Sequence, residues 1–278
     1  MAYSTTLCQD LAKLKLEFSL TFLGTSTSTG VPVIGCKCPV CISGDPLLIR
    51  TRSSIYIQTP EFLVLVDSGP DLREQALREN ITQVDAVLYT HAHLDHITGF
   101  DELRAFCWRR DNPLPLYGSE ECLEEIERMF SWAFLSTNTH KGYIKPISIV
   151  TVDSFQLGNL RVTPVPVIHG SMPTQGYRFD YPNVPSIAYL PDVKKIPEDS
   201  RALIQDIPVF IVDTLHQRQH PSHMNLNEAL AAAKQLNADK TYLTHLSHEL
   251  DPRKMKSELP VNTSFAHDGL KLTFPVDA

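Results

Sequence analysis

The chain has 278 residues and a formal net charge of −7, with 42% hydrophobic and 21% charged residues. That is long enough for a large core in one or two domains, and the balance is that of an ordinary globular protein rather than a disordered or fibrous one. No apolar run approaches the ~20 residues of a helical bilayer span, and an acidic chain with no Lys/Arg run longer than a pair weakens any case for broad binding to phosphate backbones.

Met1–Lys15 lacks the apolar core and small-residue cleavage site of a secretory signal, and no Arg precedes position 50. The expectation is a cytoplasmic protein. Leu14, Leu16, Phe18, Leu20 and Phe22 alternate with Lys15, Glu17, Ser19 and Thr21, the period-two pattern of a strand with one wet face. It runs into the small-residue loop Gly24–Pro32, which can pass close to other backbone but lacks the Gly-Lys-Ser/Thr ending of a nucleotide P-loop.

Three of the six cysteines then fall in Cys36-Lys37-Cys38-Pro39-Val40-Cys41. Without a secretion signal, such spacing reads as metal ligation rather than a disulfide framework. Three thiolates need one more soft or borderline ligand, supplied from elsewhere, to close a tetrahedral zinc site. The alternative, three buried or free thiols, leaves close neighbours prone to oxidation.

Ser54–Gln58 and Phe62–Val66 read as a hairpin turning at Pro60-Glu61, the second strand ending in Asp67-Ser68-Gly69, and Leu72–Glu79 as a short charged helix. The apolar run Ala86–Tyr89 leads into Thr90–Gly99, where His91, His93, Asp95 and His96 fall within six residues. Extended chain puts His91 and His93 on one side, and a following helix lets Asp95 and His96 face the same point from another direction. Imidazole with carboxylate suits zinc, iron or manganese, and two ligand clusters suit two metals. The alternative is a polar loop whose histidines only hydrogen-bond, although crowded imidazoles need a compensating partner.

Gly99–Arg104 and Glu120–Phe130 are expected helices, the second burying Cys122, Ile126, Met129 and Phe130. Trp108 and Trp132 read as core or interface residues, and Leu135–Lys145 as a plain polar surface loop first and a candidate substrate rim second. Ile147–Val152 and Leu160–Ile168 are strands, the latter carrying Pro164 and Pro166 as at a sheet edge and ending in His169-Gly170. Tyr177–Phe179 and Ser186–Leu190 form a strand pair ending at Asp192, and Pro208–Val212 precedes Asp213, expected to be structural.

His216, His220 and His223 lie just before the best-defined helix. Asn225 and Glu228 open it as a capping-box pair, and Leu226, Ala229, Leu230, Ala233 and Leu236 trace its apolar stripe. The strand Thr241–Leu243 leads into Thr244-His245-Leu246-Ser247-His248. The spacing of these two histidines suits one helical face, or two side chains sent to two different metals.

His-x-His-x-Asp-His after a strand resembles the signature of the metallo-β-lactamase-fold hydrolases. The wider set resembles the phosphoribosyl cyclic phosphodiesterases of phosphonate breakdown, the PhnP-like branch. It comprises Gly-Val-Pro before Gly-Cys-x-Cys-x-x-Cys, then Val-Asp-Ser-Gly, His-Ala-His-Leu-Asp-His, Thr-Pro-Val-Pro-Val-Ile-His, Leu-Pro-Asp, His-x-Asn-Leu-Asn and Thr-His-Leu-Ser-His. The match runs from about Thr21 to Phe274. It implies an α/β fold, the four-layer αβ/βα sandwich, as one domain over residues 16–278 with residues 1–15 an N-terminal extension that has no counterpart.

Carried over residue by residue, the resemblance gives His91, His93 and His169 to one divalent metal and Asp95, His96 and His245 to another. Asp192 bridges them, with Asp213 the runner-up for that place, and Asp67 supports the site from behind. The metals are Zn, Mn or Fe. Cys36, Cys38 and Cys41 take His248 as the fourth ligand of a structural Zn. His223 is the general acid, with Asp95 also counted in the catalytic set, and His216 and His220 are weaker candidates for acid or phosphate contact. Arg52 and Arg178 are conceivable phosphate grips, but solvent-facing arginines are common and they are left outside the set.

The implied reaction is hydrolysis of a small cyclic phosphodiester, of phosphoribosyl or nucleotide type, by attack of a metal-bridging hydroxide. The implied partner is a small molecule rather than nucleic acid or membrane, and such relatives commonly form homodimers. Two alternatives share the resemblance. One is an RNA endonuclease like those maturing tRNA 3′ ends, which would need a basic Gly/Pro-rich arm that is not evident. The other is a non-catalytic metal protein like the fold relatives of quinone-cofactor biosynthesis, for which the full histidine set is unexpected.

Overall fold

The computed structural model describes residues 17–276 except Arg109, Thr139 and Lys141. The expected extension, residues 1–15, and the start of the first strand pattern at Leu14–Leu16 lie outside them. The first half of the chain forms β1 (Glu17–Gly24), β2 (Ser54–Gln58), β3 (Leu63–Val66), β4 (Ala86–Leu88), β5 (Leu114–Gly118) and β6 (Pro146–Val150). The second forms β7 (Phe155–Leu157), β8 (Leu160–His169), β9 (Met172–Asp180), β10 (Ile187–Leu190), β11 (Val209–Asp213), β12 (Lys240–Thr244) and β13 (Thr263–Phe265), before β14 (Lys271–Pro275). These make two mixed sheets, ordered β14-β1-β2-β3-β4-β5-β6 and β13-β12-β11-β10-β9-β8-β7.

Alternation of apolar residues explains how the sheets stack. Phe18, Leu20 and Phe22 of β1, with Ile55, Ile57, Val64 and Val66, meet Val162, Tyr177, Phe179, Tyr189 and Ile211 of the second sheet in one buried cluster. Each outer face carries helices. Leu72, Ile97, Leu123 and Ile126 cover the first sheet, and Leu226, Ala229, Ala233 and Leu236 cover the second. The result is the α/β sandwich of two sheets flanked by helices. Each large side chain in it contributes about 1.5–3 kcal/mol by leaving water.

Several local expectations shift. The face of β1 expected to be wet is covered, with Ser19 and Thr21 both buried, because the strand runs between β14 and β2 and the helix Leu72–Arg78 packs against it. Gly99–Arg104 is a 3-10 turn, Phe100–Leu103, continuing as a helix over Arg104–Cys107. Trp108 and Trp132 are not core: they are 63% and 38% exposed. Pro164 and Pro166 sit where the short β7, which pairs only with Leu160–Val162, no longer reaches β8. There a missing N–H breaks no ladder.

Strands β3 to β6 run parallel, as do β10 to β13, so their carboxyl ends face common edges. The loop Gly24–Pro32 ties the two sheets at that edge, with the Leu246 N–H donating to the Thr25 carbonyl at 2.7 Å and the Ser53 N–H to the Ser26 carbonyl at 3.1 Å. Open α/β sheets bind ligands outside the carboxyl ends of their strands.

Candidate metal centre

Five strand ends supply the polar residues that meet here: Asp67 after β3, His91 and His93 after β4, His169 closing β8, Asp192 after β10 and His245 after β12. Asp95 and His96 come from the short helix Leu94–Ile97, whose start turns them back toward the strand ends. Apart from His93 and Asp95, which are half-buried, all are buried. The helix is held by close backbone contact. The Gly99 N–H donates to the Ser68 carbonyl at 2.9 Å, and a Cβ on Gly99 would stand 1.9 Å from the Gly69 carbonyl oxygen, so only glycine fits.

Asp67 orders the histidines from behind. Its Oδ2 lies 2.7 Å from His96 Nδ1 and 2.9 Å from Thr90 Oγ1, and its Oδ1 accepts the Thr90 N–H at 2.8 Å. Thr90 Oγ1 in turn lies 3.0 Å from His91 Nδ1. A carboxylate only accepts, so the Thr90 hydroxyl donates to Asp67 and receives the His91 ring N–H, while His96 donates directly. Both rings therefore keep their proton on Nδ1 and turn a bare Nε2 toward the centre. His169 reaches the same state by donating Nδ1–H to the Ser222 carbonyl at 2.8 Å. Such outer contacts fix the tautomer a metal requires.

The side-chain atoms facing the centre form two groups. His91 Nε2 is 2.9 Å from His93 Nδ1, which is 3.2 Å from His169 Nε2. In the other, Asp95 Oδ2 is 3.4 Å from His96 Nε2 and 3.9 Å from His245 Nε2. Asp192 reaches both: its Oδ1 lies 4.0 Å from His91 Nε2, 3.7 Å from His169 Nε2 and 3.3 Å from His245 Nε2, and its Oδ2 lies 3.2 Å from His96 Nε2.

Two observations test whether these residues suit a metal. A tetrahedral ion with bonds of ~2.0–2.1 Å separates its nitrogen ligands by roughly 3.3 Å, close to the spacings seen. In addition, His96 Nε2, His245 Nε2 and Asp192 Oδ2 are buried without a hydrogen-bond partner among the described residues. Leaving such atoms unsatisfied costs about 1–3 kcal/mol each, more for charged groups, unless a cation takes them. The residues fit two neighbouring cations.

The electrostatics agree. Burial, with His96 alongside, holds the His91 imidazole well below its ordinary range, and burial also lowers His93 and His169, so this trio offers lone pairs at neutral pH. The other group draws positive charge. Although burial opposes ionisation of Asp192, the adjacent His245 and His96 hold its carboxyl well below the usual range. His245 is raised to about 10 against its burial, chiefly by Asp192, then by Asp213 and Asp95.

His223 stands on the open side. Its ring centroid is 4.5 Å from that of His169 and 4.7 Å from that of His245, and its Nδ1 lies 2.8 Å from Asp213 Oδ2. Asp213, expected to be structural, is thus part of the site: it also accepts the Val193 N–H at 3.0 Å, and its Oδ1 lies 3.5 Å from His245 Nδ1. An aspartate closing an apolar parallel strand at the shared edge was the available signal. Arg52 and Arg178 are spoken for, by Asp71 at 2.9 Å and Asp180 at 2.8 Å.

Beside this site, Cys36, Cys38 and Cys41 surround His248, whose Nδ1 is 3.2, 3.4 and 3.5 Å from their sulfurs. A tetrahedral zinc with Zn–S ~2.3 Å and Zn–N ~2.0–2.1 Å separates S and N by about 3.5 Å. The Cys38 thiol is drawn to about 6: burial opposes its ionisation, but the Cys41 N–H and His248 outweigh burial. The donors thus fit one zinc, on a loop three residues from His245.

The beta-lactamase superfamily domain matches residues 63–246 of this chain. A crystal structure of a diphosphatase from the PhnP family superposes with a TM-score of 0.85 at 38% identity, covering 93% of this chain and 97% of that one. The chain belongs to the β-lactamase superfamily, in its PhnP family. Members of that superfamily generally bind divalent metals, and the fold is that of a metallo-hydrolase. A second relative, the octanoyltransferase of Porphyromonas gingivalis, is 34% identical over 254 residues, covering 90% of this chain and 50% of the relative. This chain therefore spans about half the length of that protein. Zn(2+)-bound PqqB of Methylobacterium extorquens shares the fold at 20% identity, with a TM-score of 0.76 over 91% of this chain and 99% of that one. No helix among the described residues is long and apolar enough to cross a membrane.

Proposed function

We propose that this protein is a dinuclear metal-dependent phosphoric diester hydrolase acting on a small substrate: a phosphoribosyl-type cyclic phosphate, or a diester whose leaving group is itself a phosphate. The observation that carries the reading is Asp192, whose two oxygens lie within 4.0 Å of ring nitrogens from both donor groups. His91, His93 and His169 would hold one cation, Asp95, His96 and His245 the other, with Asp192 between. Bound there, two divalent cations supply Lewis acidity that acidifies water and neutralises charge on the phosphoryl oxygens.

The chain's own residues do the rest. In hydrolysis a water oxygen bonds to phosphorus, the bond to the departing oxygen breaks, and that oxygen takes a proton. His223 is the donor, from Nε2, because Nδ1–H is committed to Asp213. The Asp213 carboxylate accepts Nδ1–H and so aims the ring. Asp67, directly and through Thr90, and the Ser222 carbonyl hold His96, His91 and His169 in the tautomer that presents bare nitrogen to the centre. The diphosphatase activity of the PhnP-family relative supports a phosphorus substrate.

The test is a metal count on the purified protein with a substrate panel: ribose 1,2-cyclic phosphate, a 2′,3′-cyclic nucleotide, bis(p-nitrophenyl) phosphate, a dinucleoside diphosphate and pre-tRNA. The expected result is turnover of a small diester, lost on chelation and restored by a divalent ion. Preferential cleavage of pre-tRNA, or undiminished turnover after exhaustive chelation, would overturn the reading.

A further inference from the structure

One histidine outside both donor groups is built into the site without a role in it. His220 lies with its ring centroid 5.0 Å from that of His223 and 5.7 Å from that of His216, continuing the row of imidazoles away from the donor groups. The loop bearing it is closed at both ends, by the Leu215 N–H on the Met224 carbonyl and the Leu226 N–H on the His216 carbonyl, each at 3.0 Å. Its register to the donors is set by Ser222, whose N–H points to His220 Nδ1 at 3.3 Å while its carbonyl receives Nδ1–H of His169 at 2.8 Å. Gly170 lets that loop approach: its φ is +58°, and a Cβ there would stand 3.3 Å from Ser222 Cβ.

A backbone N–H only donates, so His220 Nδ1 is the acceptor and its ring proton sits on Nε2. Among the described residues that Nε2–H donates to nothing. Beside it among the described residues stands His216, buried with an unpartnered Nδ1. Among the described residues no carboxylate accepts a hydrogen bond from His220. A fixed N–H donor, one ring beyond His223, is matched to an anion attached to the departing oxygen.

We infer that His220 is a specificity-determining residue, its Nε2–H binding a second phosphate on the leaving-group side of the substrate, so that the preferred substrates are diphosphate esters. This rests on the phosphodiesterase reading. For such a substrate a water oxygen bonds to the attacked phosphorus as its bond to the bridging oxygen breaks. The electron pair departs on that oxygen, which takes the His223 proton and leaves with the phosphate held by His220, while the water's proton passes to solvent.

The experiment is calorimetric binding of ADP and AMP, which differ by one phosphate, to the metal-loaded wild type and two variants. His220→Asn places an amide oxygen near the Nδ1 position, keeping the acceptor for Ser222 but losing the Nε2 donor. His220→Gln places an N–H near Nε2 and loses the loop contact. The wild type is expected to prefer ADP by about tenfold or more, the range for one hydrogen bond to a charged group. His220→Asn should lose that preference while still binding AMP, and His220→Gln should keep it. Equal affinity of the wild type for both nucleotides, a preference surviving in His220→Asn, or its loss only in His220→Gln would overturn the inference. Bis(p-nitrophenyl) phosphate, which has no second phosphate, separates the two readings. Wild-type failure on every diester sinks the phosphodiesterase reading, while the ADP–AMP difference still decides the subsite.

Discussion

His223 Nδ1 and Asp213 Oδ2 lie 2.8 Å apart, and the same carboxylate oxygen accepts the Val193 N–H at 3.0 Å. The aspartate is fully buried at the end of β11, while His223 is half-buried and faces the open side of the donor groups. We predict that Asp213→Asn lowers turnover of a poor alcohol leaving group by about 10²-fold, the lower range for loss of a positioned acid. An activated p-nitrophenyl ester should suffer far less. Residues acting as one unit are not additive, so Asp213→Asn with His223→Ala should be no slower than His223→Ala alone. Equal losses on both ester classes would remove the acid role.

Asp67 connects, directly and through Thr90, to one histidine of each donor group. It holds φ at +64°, a region that Asn tolerates and Ala does not. Asp67→Asn should therefore fold but weaken metal affinity about 10–100-fold at both positions, as loss of such supporting contacts does elsewhere. Titration with a competing chelator reads this directly. Weakening at one position alone would contradict the shared relay.

Acid stability should depend on an ion pair remote from the site. Burial works against ionisation of Asp180, but hydrogen bonds from Arg178 and Ser186 outweigh it and hold the carboxyl below its usual range. A depressed folded-state pKa stabilises above the unfolded value of ~3.9, and the contribution fades as pH falls through the folded value. Asp180→Asn should be less stable than wild type at pH 7 in urea melts, with the gap closing as pH drops below ~4. A gap constant down to pH 3 would mean that the pair contributes nothing through its charge.

What could be read in the chain followed from how local each signal is. The capping box needs only neighbours: Asn225 Oδ1 accepts the Glu228 N–H, and Glu228 Oε2 accepts the Asn225 N–H, both at 2.9 Å. The hairpin of β2 and β3 and the sandwich itself follow from period-two patterns and a dense motif. Less legible were features that exist only after the chain closes on itself. Asp213 reads as an ordinary strand-end residue until the turn back from His223 meets it. Ser222 acts through backbone atoms, which leave no mark in a sequence. Burial of Ser19 and Thr21 depends on β14 arriving from the far end of the chain, although Lys271-Leu272-Thr273-Phe274 carries an alternation that could have revealed that strand.

The loop bearing His248 is held independently of any metal. The buried Arg50 guanidinium donates to the Ser247 carbonyl at 2.9 Å and to the Leu250 carbonyl at 3.0 Å, bracketing His248, and burial pulls its pKa down to about 10. Arg50→Met would leave both carbonyls without that donor, at about 1–3 kcal/mol for each that stays unpaired. We predict a lower melting temperature for Arg50→Met with the full zinc count retained. By contrast, His248→Ala removes one ligand of the Cys36, Cys38, Cys41 and His248 set and should release one equivalent of zinc while the other metals stay bound. Metal analysis after gel filtration, beside thermal melts, separates the two variants. If His248→Ala emptied every position at once, the thiolate cluster and the histidine centre would be a single linked site, and their treatment as separate sites would fail.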